Sequence, residues 1–219
     1  MIDLHTHTLL SDGDLIASEL VRRAYVLGYK ALAITDHVDD SNIDMVLPGI
    51  IKVSKIINKY WDIIVIPGVE ITHVPIEIFS DIVKYSRDKG AKIVLAHGES
   101  PVEPVLQGTN NAAINAKVDI LAHPGYIKDE DVKLAAQKGI YLEITSRNGH
   151  SQTNKYVFDK AIKFNAKMVV NTDLHSIENF LTIEKRKHIL NGLTDIEDIK
   201  NEIIKNSEDI VNNIIKNGI

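Results

Sequence analysis

Residues 90–97, Gly90-Ala91-Lys92-Ile93-Val94-Leu95-Ala96-His97, join a glycine suited to a helix end, a short aliphatic run and an imidazole where the run stops. Outward from this stretch the same unit recurs along the chain. Short apolar runs lie at Ile2–Leu4, Ala31–Thr35, Ile63–Ile66, Lys92–Ala96, Asp119–Ala122, Ile140–Ile144 and Lys167–Asn171. They are brief and rich in Ile and Val, as expected of parallel strands buried on both faces. Between them apolar residues fall at steps of three and four, as in Leu20, Ala24 and Leu27, which predicts helices. Gly28, Gly90 and Gly139 stand just before the next run, where a helix C-terminus favours a residue tolerant of positive φ. The order is βα repeated about seven times, hence a parallel sheet. Periodicity alone leaves an open doubly wound sheet and a closed barrel both possible. From Thr194 to Ile219 the chain reads as amphipathic helix, with Ile196, Ile199 and Ile203 on one stripe expected to pack on the outside of the fold.

Composition narrows the function. The 219 residues are 44% apolar and 25% charged, with a formal net charge of −5 and no cysteine. A chain of this size buries a core without disulfides, and thiolate metal sites are excluded. The acidic balance argues against a dedicated nucleic-acid binder, which would carry a basic face. No run approaches the ~18 apolar residues that span a membrane, and Met1–Leu10 lacks the pattern of a signal peptide. A cytoplasmic location is expected, with one domain over residues 1–219. There are nine histidines.

Those histidines fall at the ends of the runs. The first run leads into His5-Thr6-His7, the second into Asp36-His37, the third into Glu70, the fourth into His97, the fifth into His123, the sixth contains Glu143 and the seventh leads into Asp173-Leu174-His175. In a parallel α/β barrel these ends meet at one mouth. In extended chain, residues two apart point the same way, so His5 and His7 can converge on one ion, as can Asp173 and His175. Imidazole with carboxylate suits Zn, Mn or Fe, and the number of donors exceeds what one ion requires. His188 sits among Glu184, Lys185, Arg186 and Lys187 on a solvated helix face, and His73 reads as a solvated loop residue. His150 follows the sixth run, where it could touch substrate.

The motifs Asp3-Leu4-His5-Thr6-His7, Ser11-Asp12-Gly13, Thr35-Asp36-His37, Pro67-Gly68-Val69-Glu70, Ala122-His123-Pro124-Gly125 and Thr172-Asp173-Leu174-His175 resemble, in order, those of the PHP (polymerase and histidinol phosphatase) domain family. The resemblance implies a distorted (β/α)7 TIM-like barrel with C-terminal amphipathic helices. It also implies a cluster of two or three divalent ions at the mouth. On this pattern His5, His7, Glu70 and Asp173 would bind one ion. Glu70, His97 and His123 would bind the second, and Asp12, His37 and His175 the third. Asp36 would orient a ligand or a bound water. Glu99 and Glu143 match no ligand position.

The resulting expectation is a metal-dependent phosphoesterase acting on a small phosphorylated metabolite or nucleotide, with a metal-bridging hydroxide as nucleophile. Arg147, just past the sixth run, would grip the phosphate through its guanidinium fork. Pairing of Arg147 with Glu143 is the competing reading, and His150 is the second candidate substrate contact. No nucleic-acid or membrane partner is expected. Alternatives are a 3′-5′ exonuclease, a non-catalytic metal-stabilised interaction module, and a C–N hydrolase lacking the carboxylated lysine typical of such enzymes.

Overall fold

A computed structural model describes residues 1–218. Parallel strands β1 (Ile2–Asp3), β2 (Ala31–Ile34), β3 (His37–Val38), β4 (Ile64–Ile71), β5 (Ile93–His97), β6 (Ile120–Ala122), β7 (Tyr141–Thr145) and β8 (Met168–Asn171) form the sheet. Its order is β1-β2-β4-β5-β6-β7-β8, with β3 paired to β4. The seven-strand path is the expected one. The eighth, two-residue strand is a restart of β2 after Thr35-Asp36, and its register pairs His37 with Glu70. Helices α1 (Ala17–Val26), α2 (Ile43–Tyr60), α3 (Phe79–Asp88), α4 (Thr109–Asn115), α5 (Asp129–Lys138), α6 (Asn154–Phe164), α7 (Ile183–Asn191) and α8 (Glu197–Lys216) alternate with the strands or follow them.

Period-two alternation divides the strand side chains. Leu32, Ile34, Val65, Val94, Leu121, Leu142 and Val170 pack toward the helices. Leu4, Ala31, Ala33, Ile66, Ile93, Leu95, Ile120 and Val169 form a second cluster that fills the barrel interior. The same inward parity carries on to Glu70, His97, Glu143 and Asp173, which places these polar groups above the apolar floor.

The sheet is a nearly closed barrel. A single parallel bridge, Thr6 to Leu174, joins its edges, with the His7 N–H donating to the Leu174 carbonyl at 2.8 Å. Side chains complete the seam. Asp3 accepts from the Thr172 hydroxyl at 2.6 Å and the Thr172 amide at 3.2 Å, and Asn171 Oδ1 accepts from the Leu4 amide at 3.0 Å.

The C-terminal helix keeps part of the expected stripe, with Ile203 buried in the main core and Ile199 packed against it, and departs from it elsewhere. Ile196 precedes α8 and is exposed, while Ile210 and Val211 join the interior cluster. Helix α8 therefore stops the N-terminal end of the barrel, with Asn206 Nδ2 donating to the Met168 carbonyl at 2.8 Å. The opposite end is left open.

Candidate metal centre

At the open end the strand termini bring nine ionisable side chains together. Groups able to hold a cation are His5, His7 and Glu70; His5, His123 and Asp173; Glu70, His97 and His123; and His7, Asp12, His37 and His175. Two donors bound at right angles by bonds of about 2.1 Å lie about 3.0 Å apart, and at the tetrahedral angle about 3.4 Å. The observed separations fall around these values: His5 Nε2–Glu70 3.2 Å, His7 Nε2–Asp173 3.2 Å, His175 Nε2–Asp12 3.2 Å, His37 Nε2–Asp12 3.6 Å and His123 Nε2–Glu70 3.6 Å.

Hydrogen bonding supplies an independent test of whether cations fit. His5 Nε2, both nitrogens of His7, both oxygens of Glu70, His123 Nδ1 and Asp173 Oδ1 are buried with no hydrogen-bond partner. Such groups cost about 1–3 kcal/mol each when left unsatisfied. Those that face one another, His5 Nε2, His7 Nε2, the Glu70 oxygens and Asp173 Oδ1, fit a shared positive charge, a cation or the protons that stand in for it. The outer nitrogens are fixed. His5 Nδ1 donates to Glu143 at 2.8 Å, His97 Nδ1 to the Gly98 carbonyl at 3.1 Å and His175 Nδ1 to the Asp173 carbonyl at 2.9 Å, which turns each Nε2 inward. His123 and Asp173 hold φ values of 25° and 55°, a strain of the kind that concentrates at functional sites.

Electrostatics sorts the imidazoles into two kinds. Burial drives His7 down to about 3 and His123 well below its ordinary value, leaving both neutral with lone pairs available. Burial also opposes charge on His5 and His37, yet Glu143 and Glu70 raise His5 well above its usual value, and Glu70 and Asp12 raise His37 to about 9. Burial likewise disfavours the charged forms of Glu70 and Asp173, but the surrounding imidazoles win and hold both carboxyls well below the usual range.

The remaining expected residues separate. Arg147 lines the same cleft, of about 360 Å³, together with Asp12, His37, His97, His150 and His175. Its guanidinium reaches the Asp173 carbonyl at 3.4 Å and Asn179 Oδ1 at 3.3 Å, and among the described residues it forms no ion pair, with Glu143 or any other acid. Asp36 does not line the cleft. Its oxygens accept from the Thr8 amide at 2.7 Å, the Thr8 hydroxyl at 2.8 Å and the Ser11 hydroxyl at 2.7 Å, so it braces the loop that carries Asp12 rather than facing the cleft as expected. That loop presses on its own start: a Cβ on Gly13 would meet the His7 carbonyl oxygen at 2.5 Å.

Two carboxylates of the site were given no role by the sequence: Glu143, which stood in the strand-end set but matched no ligand position, and Glu103, which was not singled out. Glu143 accepts from His5, from the His123 amide at 3.0 Å and from Asn171 Nδ2 at 2.8 Å, beneath two imidazoles of the centre. Inward parity on β7 was its only signal. Glu103, on the loop after β5, lies 3.0 Å from His97 Nε2, 3.3 Å from His150 Nε2 and 3.6 Å from His73 Nε2. His150 and His97 hold its carboxyl far below the usual range, against burial that pushes it up. His73, expected to be merely solvated, thus joins the rim, and His150 is buried with Nδ1 2.6 Å from Ser100 Oγ.

Comparison with known proteins agrees with this architecture. Over 199 residues the chain is 47% identical to an uncharacterized protein of Methanocaldococcus jannaschii, with 89% of this chain and 91% of that protein covered. It is 26% identical over 199 residues to the DNA polymerase/3'-5' exonuclease PolX of Bacillus subtilis, covering 80% of this chain and 34% of that polymerase. Among solved structures it resembles a chain of archaeal ribonuclease P with mature tRNA, at a TM-score of 0.73 and 18% identity over 98% of this chain and 91% of that one. It also resembles the histidinol phosphate phosphatase of Lactococcus lactis in complex with zinc, L-histidinol and phosphate, at a TM-score of 0.62 and 16% identity over 93% of this chain and 94% of that one. At such identities these likenesses speak to the fold. No helix of the described residues is long and apolar enough to cross a membrane. The PHP domain profile matches residues 3–167, and the chain belongs to the PHP domain family.

Proposed function

We propose that this metal-dependent hydrolase removes the phosphoryl group from a small phosphate monoester, as one domain over residues 1–219 acting in the cytoplasm. The observation that carries the reading is the set of buried, unpartnered donor atoms on His5, His7, Glu70, His123 and Asp173, beneath a cleft that also holds an unpaired arginine.

Two or three ions (Zn, Mn or Fe) would be held by His5, His7, Glu70 and Asp173, by Glu70, His97 and His123, and by Asp12, His37 and His175. Bound there, they supply concentrated positive charge that draws a phosphate dianion and lets water ionise near neutral pH. The protein's own groups do the positioning. Glu70, central to the donor set, would be shared between cations. Asp36 holds the Asp12 loop at the rim, and Arg147 offers N–H donors to phosphate oxygens from the cleft wall. His150 stands at the cleft wall as the second substrate contact. The cleft volume lies within the range of small-molecule sites.

A phosphate-release screen over sugar, amino-alcohol and nucleotide phosphates, with Mn²⁺, Zn²⁺ and Fe²⁺ added separately, tests this. Turnover of at least one monoester, lost on chelation and restored by metal, is expected. Metal-loaded protein releasing no phosphate across the panel would refute the reading. The match to PolX favours a second one, 3'-5' exonuclease action. Shortening of end-labelled single strands at rates exceeding monoester hydrolysis, with binding that weakens steeply in salt, would select it.

A further inference from the structure

We propose that Glu103 is a further cation ligand, delivered by a clamped loop to the Glu70–His97–His123 end of the centre; this rests on reading the cleft as a metal centre.

The first argument is separation and chemistry. His97 directs Nδ1 to the Gly98 carbonyl at 3.1 Å, which turns its Nε2 toward Glu103 Oε2, 3.0 Å away. A nitrogen and a carboxylate oxygen this close are held by positive charge between them, the proton of an imidazolium in the metal-free chain or a cation that displaces it. About 3.0 Å is the spacing expected of two ligands at right angles on one cation. His97 is at the same time part of the group with Glu70 and His123 able to hold an ion. Glu103 therefore faces a donor atom already committed to the centre.

The second argument is construction. The other carboxylate oxygen, Oε1, lies 3.3 Å from His150 Nε2, and His150 is in turn anchored 2.6 Å from Ser100 Oγ. Fixing of a ligating carboxylate by a neighbour of this sort is how metal sites aim their ligands. The loop bearing Glu103 is pinned at its neck. Glu99 Oε1 accepts from the Gly108 amide at 2.9 Å and the Asn110 amide at 3.0 Å, while Asn110 returns the contact by accepting from the Glu99 amide at 3.0 Å. Asn110 Nδ2 ties the whole neck to the Pro124 carbonyl, beside His123, at 2.9 Å. A solvated glutamate at a loop tip needs none of this. With Asp12, Glu70 and Asp173, Glu103 would make four carboxylates around the centre, lowering its positive excess and favouring a dianion over more highly charged substrates.

The test compares the full-length wild-type chain with Glu103→Gln and Glu103→Ala, each stripped and then titrated with Zn²⁺ or Mn²⁺ against a competing chelator. Elemental analysis gives the number of ions retained, and visible absorption of the Co²⁺-loaded proteins reports the ligand field. The expected result is that both variants melt like wild type when metal-free. Their weakest-binding ion should lose affinity about tenfold or more, and their cobalt spectra should change. Wild-type and variant proteins with the same affinities and superimposable cobalt spectra would overturn the role of Glu103 while leaving the centre intact. A wild-type chain that takes up no ions would overturn both this inference and the metal centre it rests on.

Discussion

Glu143 shows how much one buried carboxylate can organise. It accepts from a side chain 138 residues earlier, from a backbone amide and from Asn171, and is itself fully buried. Replacing it by Gln keeps the shape but removes the charge that favours His5 as an Nδ1 donor. We expect Glu143→Gln to fold and to bind cations about 10- to 100-fold more weakly, measured by chelator competition. Glu143→Ala strands three donors and should destabilise the chain by several kcal/mol in denaturant titration. Arg147 acts from the wall of the cleft. Arg147→Ala should raise KM for a phosphate monoester at least tenfold while metal content stays at the wild-type level; unchanged KM would remove it from substrate binding. At this scale His5, His7, His97, His123, Asp173 and His175 were legible because each lies at or just past the end of a strand, where period and topology together fix direction, whereas Asp12, on the loop after β1, was reached only through the family motif. Glu143 lies within a strand, and its partner is known only once β1 and β7 are both placed. Glu103 sits on a loop tip, where no period applies.

Elements differ in how strongly their neighbours constrain them. The seam between β1 and β8 relies on Asp3, whose carboxyl burial pushes up to about 7, against donors from Thr172 and His5 that pull it down. The folded chain therefore prefers Asp3 protonated. Its contribution to stability is fully present below the unfolded value near 4 and is lost as pH rises through about 7. The Asp3→Asn variant of the metal-free protein should accordingly lose less stability than wild type between pH 5 and 8, by urea titration at each pH. An identical pH slope in the two proteins would count against this. At the other end, α8 stops the barrel floor with Ile210 and Val211. Ile210→Ala should cost about 2–4 kcal/mol through lost burial and the cavity left behind, whereas Ile196→Ala, at an exposed position, should change stability by less than about 0.5 kcal/mol. The amphipathic character of the tail was legible, but not its destination. A stripe of isoleucines specifies that a face is covered, and the floor of a barrel exists as a surface only after seven strands have curled.

For the whole molecule, the consequence of gathering these groups is a competition between protons and cations. Burial resists charge on His5 and His37, but their carboxylate neighbours raise His5 well above its ordinary value and His37 to about 9, so the metal-free protein carries protons on both at neutral pH. His7 and His123, driven down by burial, carry none. In the metal-free state the two imidazolium groups do the work of cations, neutralising Glu70 and Asp173 in the interior. Metal ions must displace them. Loading at pH 7.5 is therefore expected to release the protons of His5 and His37 and to draw none from His7 or His123. Because protonation of His37 competes below about 9, affinity should climb from pH 6 to 9 and level off above it. Calorimetric titration in buffers of different ionisation enthalpy measures the protons released per chain directly. A heat independent of buffer, or an affinity flat across that range, would mean that the imidazoles do not hold the ions and that the donor atoms at the barrel mouth are satisfied in some other way.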